Sequence, residues 1–195
     1  MLHDFDIRPY DQDSYLFITG VPRSGTQFIA DTFQAIGLDV QHEAFGTQGI
    51  SAFLIVPHLS QRKKGIIFHQ VRDPLKTISS MQTIDRTWPY ITEYTGISPE
   101  QGGMLHAIMR LYLLLNSEIE KYEHFRYKVE EIDQVWEQLL TIAGIKQQPL
   151  PDIPKDTHTR AELYKPLGWH ELEFRDAKLT KYIKDMSHRY GYEVE

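Results

Sequence analysis

Three groups of residues in this chain have the types and spacing to do chemistry on a phosphate-like anion. The first is Gly20-Val-Pro-Arg-Ser-Gly-Thr-Gln27, with two glycines five positions apart and one cation, Arg23, between them. Between a strand and a helix, such a loop wraps an anion with backbone amides and aims a helix N-terminus at it. The nucleoside-triphosphate version continues with Lys-Ser/Thr, whereas this chain continues with Thr26-Gln27. The lysine that reaches the outer phosphates and the hydroxyl that holds magnesium are therefore both missing, which disfavours magnesium-dependent phosphoryl transfer. The second group is Val71-Arg72-Asp73-Pro74 with Ser80 eight residues after Arg72. If Asp-Pro opens a helix, Ser80 lies on its second turn and can share an anion with the guanidinium fork of Arg72. The third is His42-Glu43, an imidazole beside a carboxylate, either of which is a general-base type. No second histidine follows at helical spacing, so the zinc-hydrolase pattern fails and no metal site is expected. Read singly, the first two segments also fit an ordinary glycine turn and an ordinary helix cap.

The elements that must position these residues follow from hydrophobic periodicity. Residues 15–20 (Tyr-Leu-Phe-Ile-Thr-Gly) read as a short buried strand, and Phe28, Ile29, Phe33 and Ile36 mark a helix stopped by Gly37. A second strand is expected over 38–42, a short buried helix over 50–59, a strand over 65–71 and a helix over 73–81. Residues 86–103 hold Pro89, Gly96, Pro99, Gly102 and Gly103 and read as a long irregular loop. A largely buried helix is expected over 104–122, a strand over 125–129, a helix from Ile132 to Ala143 and a last amphipathic helix through Leu179, Ile183, Met186 and Tyr190. Strands alternating with helices predict a three-layer α/β/α sandwich with a mainly parallel central sheet and P-loop-like topology.

Composition sets the outer bounds. At 195 residues the chain suits a single domain over 1–195. It has no cysteine, which removes disulfide and thiol chemistry and fits a reducing compartment. The net charge of −6 argues against general nucleic-acid binding, and no apolar run approaches the length that spans a bilayer. The acids near the start are unlike a secretory signal, so the chain reads as soluble, non-exported and cytoplasmic.

Together the two anion segments resemble the sulfotransferase family that uses 3′-phosphoadenosine 5′-phosphosulfate (PAPS). The family's 5′-phosphosulfate loop looks like Gly20 to Thr26, and its 3′-phosphate segment looks like Arg72-Asp-Pro with Ser80. Tyr127-Lys-Val-Glu-Glu-Ile132 is similar to the family's Arg-Tyr-Glu-Asp-Leu segment, and 37–43 resembles the strand leading to the catalytic base in the tyrosylprotein and bacterial branches. The resemblance covers roughly residues 15–145. The cytosolic branch carries lysine where Arg23 stands, and its C-terminal Arg-Lys-Gly lid is missing here, with Lys165-Pro-Leu-Gly-Trp169 as a candidate substitute.

What the resemblance implies is specific. Backbone amides of Ser24, Gly25, Thr26 and Gln27 would hold the 5′-phosphosulfate, and Arg23 would stabilise the leaving oxygen. Arg72 and Ser80 would bind the 3′-phosphate, leaving PAP as product. Glu43 would be the base, its pKa raised by apolar neighbours such as Phe45, with His42 as the rival expected on the opposite face of the strand. Lys165 and Trp169 would cover the donor, Trp169 by stacking on adenine, and Thr159 and Arg160 are further donor contacts. Trp88 and Tyr90 are candidates for an acceptor wall. The acceptor would be a small molecule, carbohydrate or peptide bearing a hydroxyl, or an amine. Two other functions compete: a P-loop nucleotide kinase with a degenerate loop, and a catalytically silent nucleotide-binding domain.

Overall fold

Apolar residues alternate with period two along the central strand. Leu16 and Ile18 face one layer of helices while Tyr15 and Phe17 face the other, and all four are buried. In the computed structural model, which describes residues 12–153 and 163–194, five strands form one sheet. They are β1 (Leu16–Thr19), β2 (Val40–His42), β3 (Gly49–Ser51), β4 (Ile66–Val71) and β5 (Phe125–Lys128), in the order β2-β3-β1-β4-β5. Every pairing is parallel, with Ile18 opposite Ser51 on one side and Phe68 on the other.

One face is covered by α1 (Thr26–Ala35) and α5 (Ile132–Ile142), whose Ile29, Phe33, Trp136, Leu139 and Leu140 pack on Leu16, Ile18 and Phe68. The other carries a 3₁₀ segment (Phe53–Gln61), α2 (Pro74–Met81), α3 (Trp88–Thr95), α4 (Met104–Ile119), α6 (Trp169–Arg175) and α7 (Ala177–Arg189). The three-layer sandwich expected from the alternation of elements is the observed architecture. Among the described residues no helix is long and apolar enough to cross a membrane.

Three local expectations are corrected. Residues 50–59 are not one helix: Gly49–Ser51 forms β3, where a Cβ on Gly49 would stand 2.8 Å from the carbonyl oxygen of Leu16, and the 3₁₀ segment follows. Residues 86–103 are not wholly irregular, because Pro89 falls in the first turn of α3 and Gly96, in the left-handed region, ends it. The punctuation that suggested a loop is the start and stop of a helix. The chain after Gly168 also forms α6, whose capping-box glutamate is Glu171, accepting from the Gly168 amide at 2.7 Å.

Because all five strands are parallel, their C-terminal ends share one edge of the sheet. From β1 the chain crosses through α1 to β2 on one side, while β4 lies on β1's other side. Such a switch point leaves a crevice at the strand ends, where open α/β sheets bind ligands. The glycine loop follows β1, Glu43 follows β2, Arg72 follows β4 and Val129 follows β5.

Candidate active site

A cleft of about 870 Å³ opens at this edge, within the range of small-molecule sites. Its walls include Arg23, Gly25, Thr26 and Gln27 from the loop and the start of α1, His42 at the end of β2 with Glu43 just after it, Arg72 after β4, and Lys76 and Ser80 from α2.

The loop is built by backbone conformations that few residues accept. Gly25 has φ 99° and serves as N-cap of α1 without a side-chain cap. A Cβ there would stand 3.0 Å from Gln70 Nε2 and 3.2 Å from Val129 Cγ2, so glycine is favoured by φ, and any larger residue would also have to push these side chains aside. Arg23 (φ 70°) and Glu43 (φ 53°) are the non-glycine residues with positive φ among the described residues. Both therefore hold conformations that cost an L side chain about 1–2 kcal/mol, and both line the cleft. Strain of this kind concentrates where function demands a side-chain direction.

The first helical hydrogen bond of α1 runs from Ile29 N–H to Gly25 O at 3.2 Å, so the amides of Thr26, Gln27 and Phe28 have no acceptor within the helix. With the positive end of the helix dipole they make an anion site. Ser24 departs from the expected set. Its N–H donates to Val21 O at 3.1 Å inside the loop, its side chain is fully buried with Oγ unpartnered, and it does not line the cleft. The tight turn after Gly20 consumes the amide that the sequence offered to a ligand.

Arg72 Nη1 donates to the carbonyl oxygen of Arg23 at 3.1 Å, and Arg23 Nη2 lies 3.5 Å from the carbonyl oxygen of Thr83. Both guanidinium groups thus belong to one wall. Asp73 caps α2 by accepting from Lys76 N–H at 2.8 Å, and its own N–H donates to Glu130 Oε1 at 2.9 Å. Lys76 and Ser80, one turn apart on α2, share a face of the helix, Arg72 lies just before its N-cap, and all three line the cleft. Lys76 is absent from the set expected from sequence, although the same interval that selects Ser80 also selects it.

His42 and Glu43 are not on opposite faces as expected. The strand ends at His42, and the left-handed turn at Glu43 brings its carboxylate back to 4.0 Å from His42 Nε2. His42 Nε2 is also 3.1 Å from Thr26 Oγ1. The Glu43 side chain is 48% exposed, so the dry surroundings expected from Phe45 are absent. Ser51 Oγ donates to Thr26 O at 2.7 Å and ties β3 to the head of α1.

Other expected contacts lie elsewhere. Trp88 and Tyr90 are buried, Trp88 Nε1 donating to Ile84 O at 3.2 Å and Tyr90 OH to Leu54 O at 2.5 Å, so they are core rather than acceptor wall. Lys165 and Trp169 do not line the cleft: Lys165 O accepts from Gln82 Nε2 at 2.9 Å, and Trp169 carries Lys184 over its ring at 5.3 Å. The aromatic residue of this segment that reaches the cleft is Tyr164. The segment is pinned to α2 by Leu167 N–H donating to Ser79 Oγ at 2.9 Å. Thr159 and Arg160 lie outside the described residues.

No family model matches the sequence, and no curated protein does. Among solved structures, a sulfotransferase from Alicyclobacillus acidocaldarius is similar with a TM-score of 0.51 at 13% identity, covering 91% of this chain and 96% of that one. Mouse sulfotransferase SULT7A1, in complex with PAP, gives a TM-score of 0.45 at 17% identity over 75% of this chain and 63% of its own. With a parallel sheet, a glycine loop after β1 and a cleft at the switch point, the chain has the α/β fold of a sulfotransferase.

Proposed function

We propose that this protein is a cytoplasmic PAPS-dependent sulfotransferase acting on a hydroxyl or amine of a small-molecule, carbohydrate or peptide acceptor. The observation that carries this reading is the convergence of Arg23, Arg72 and Ser80 on one cleft at the switch point of the sheet. A ligand with phosphate groups at both ends of a nucleoside suits two cationic stations separated along one wall. The cleft supplies the amides at the head of α1 with Arg23 at one station, and Arg72, Lys76 and Ser80 at the other.

PAPS would supply the sulfuryl group. In-line attack by the acceptor forms the new bond to sulfur and breaks the bond to the phosphate oxygen, on which negative charge collects. Arg23 and the amides of Gly25, Thr26 and Gln27 stabilise that charge without having to reorganise. Glu43 accepts the acceptor's proton, and its left-handed backbone aims the carboxylate into the cleft. His42 is engaged with the Thr26 hydroxyl and serves better to orient that hydroxyl than to take the proton. The loop lacks the lysine and the magnesium-binding hydroxyl of nucleotide kinases, so the kinase reading is not favoured.

Calorimetric titration with PAP and with AMP, in a chelator, tests the assignment. PAP should bind much more tightly than AMP, and equal affinities would overturn it.

A further inference from the structure

Gln70 stands near the C-terminal end of β4, completely buried, at a position where an apolar residue would pack without cost. Its side chain is used at both ends. Nε2 donates to the main-chain oxygen of Ser24 at 2.6 Å, and Oε1 accepts from the hydroxyl of Tyr127 on β5 at 2.6 Å. The orientation of the amide is determined by chemistry. A carbonyl can only accept, so NH₂ must face Ser24, and the remaining oxygen needs a donor, which Tyr127 provides. Burial pushes the Tyr127 hydroxyl well above its ordinary pKa, so it keeps its proton for this bond.

The peptide unit between Ser24 and Gly25 is planar and trans, so its C=O and N–H point in opposite directions. With the oxygen held down into the sheet by Gln70, the Gly25 N–H is turned the other way, toward the cleft that Gly25 lines. The missing Cβ of Gly25 leaves the space in which Gln70 Nε2 sits, so side chain and loop are shaped to each other. Resting on the donor reading above, we infer that Gln70, itself held by Tyr127, is a positioning residue that presents the Gly25 amide to the phosphosulfate end of the donor. Neither side chain touches the ligand; they decide which way one peptide faces.

The test compares PAP affinity by calorimetry with thermal stability in four proteins. Gln70→Met keeps the length of the side chain but offers Ser24 O no donor, and PAP affinity should fall about tenfold or more. Tyr127→Phe removes only the donor that orients the amide, and serves if Gln70→Met does not fold; a fall of about threefold to tenfold is expected. The double variant Gln70→Leu with Tyr127→Phe replaces the side-chain pair by apolar groups and leaves only the Ser24 oxygen without its donor, so it should be no less stable than Gln70→Met. Its PAP affinity should stay low. Recovery of wild-type affinity in the double variant, or variants that melt earlier yet bind PAP as the wild type does, would overturn the inference alone. Failure of the wild-type protein to bind PAP would overturn the donor reading and this inference with it.

Discussion

Arg72 donates through Nη1 to the carbonyl oxygen of Arg23 at 3.1 Å, joining two segments 49 residues apart in the chain. One guanidinium therefore holds the loop that carries the other, and leaves further N–H groups of its fork to face the cleft. Replacing Arg72 removes a brace and, on the proposed donor reading, a ligand contact with it. Arg72→Ala should lower PAP affinity about 10- to 100-fold, the range for a charged hydrogen-bond partner, and should lower AMP affinity less. Arg72→Lys should recover little, because a single ammonium cannot serve both directions. Titration of both ligands against each variant reads this directly.

Glu43 separates chemistry from strain. Glu43→Gln should leave PAP binding intact and slow sulfuryl transfer about 10²- to 10⁴-fold, the usual contribution of a general base. Its φ of 53° makes an independent forecast. Glu43→Gly should be at least as stable as the wild type, while Glu43→Val should lose about 1–2 kcal/mol. Denaturant titration of the two variants tests the backbone, and a single-turnover assay tests the carboxylate.

The loop's glycines differ in what they tolerate. A Cβ on Gly20 would lie 2.2 Å from the carbonyl oxygen of Gln70 and 2.5 Å from Ser24 Oγ. The first of these belongs to the main chain of β4 and cannot yield, so Gly20→Ala should cost about 3 kcal/mol or more. Gly37, at the end of α1, also has positive φ, 86°, but nothing lies within 4 Å of the place a methyl group would take. Gly37→Ala should therefore cost only the backbone term, about 1 kcal/mol. Comparing the two denaturation midpoints checks the contrast.

Lys76 is exposed on the rim of the cleft, one helical turn beyond Arg72. Its contribution should be modest and screened. Lys76→Ala should weaken PAP binding about two- to fivefold at low salt, with the difference shrinking at about 1 M salt, where the Debye length is about 3 Å. A difference that persists unchanged at high salt would show that Lys76 makes a shielded contact instead.

Away from the cleft, His69 on β4 is fully buried, with Nδ1 2.5 Å from Glu123 Oε2 and Nε2 3.0 Å from Asn116 Oδ1. Burial by itself would raise the pKa of Glu123, but hydrogen bonds and charge from His69 and Arg126 outweigh it and hold the carboxyl below its ordinary range. A carboxylate depressed in the folded state contributes stability that is complete above the unfolded value, about 4.3, and disappears as pH falls through the folded value. Glu123→Gln should cost about 2 kcal/mol near neutral pH, as expected for hydrogen bonds to a charged group. The gap between variant and wild type should narrow as pH drops below about 4. Denaturation midpoints measured from pH 7 to pH 3 decide it.

Much of the site was legible because anion binding leaves local marks. Glycines at both ends of a loop, a cation between them, and an arginine with a serine at helical spacing are visible in one dimension, since the loop and the start of α2 are each built from consecutive residues. The strand and helix alternation likewise follows from short-range periodicity, and the parallel sheet follows from the alternation. What consecutive residues do not encode is which backbone groups are already spent. The Ser24 amide is consumed by Val21, and the Ser24 oxygen by a glutamine 46 positions away.

The sequence by itself determined an α/β chain and marked out the two segments and the carboxylate that the proposed function uses. Only the tertiary structure decided that β3 inserts between β2 and β1, that Glu43 turns back beside His42, that Trp88 and Tyr90 are core, and that Tyr127 and Gln70 together aim the loop. The physical reason is the range of the interactions. Periodicity and turn chemistry act over a few residues, whereas partners such as Tyr127 and Gln70 meet only when parallel strands bring distant segments to the same edge of the sheet.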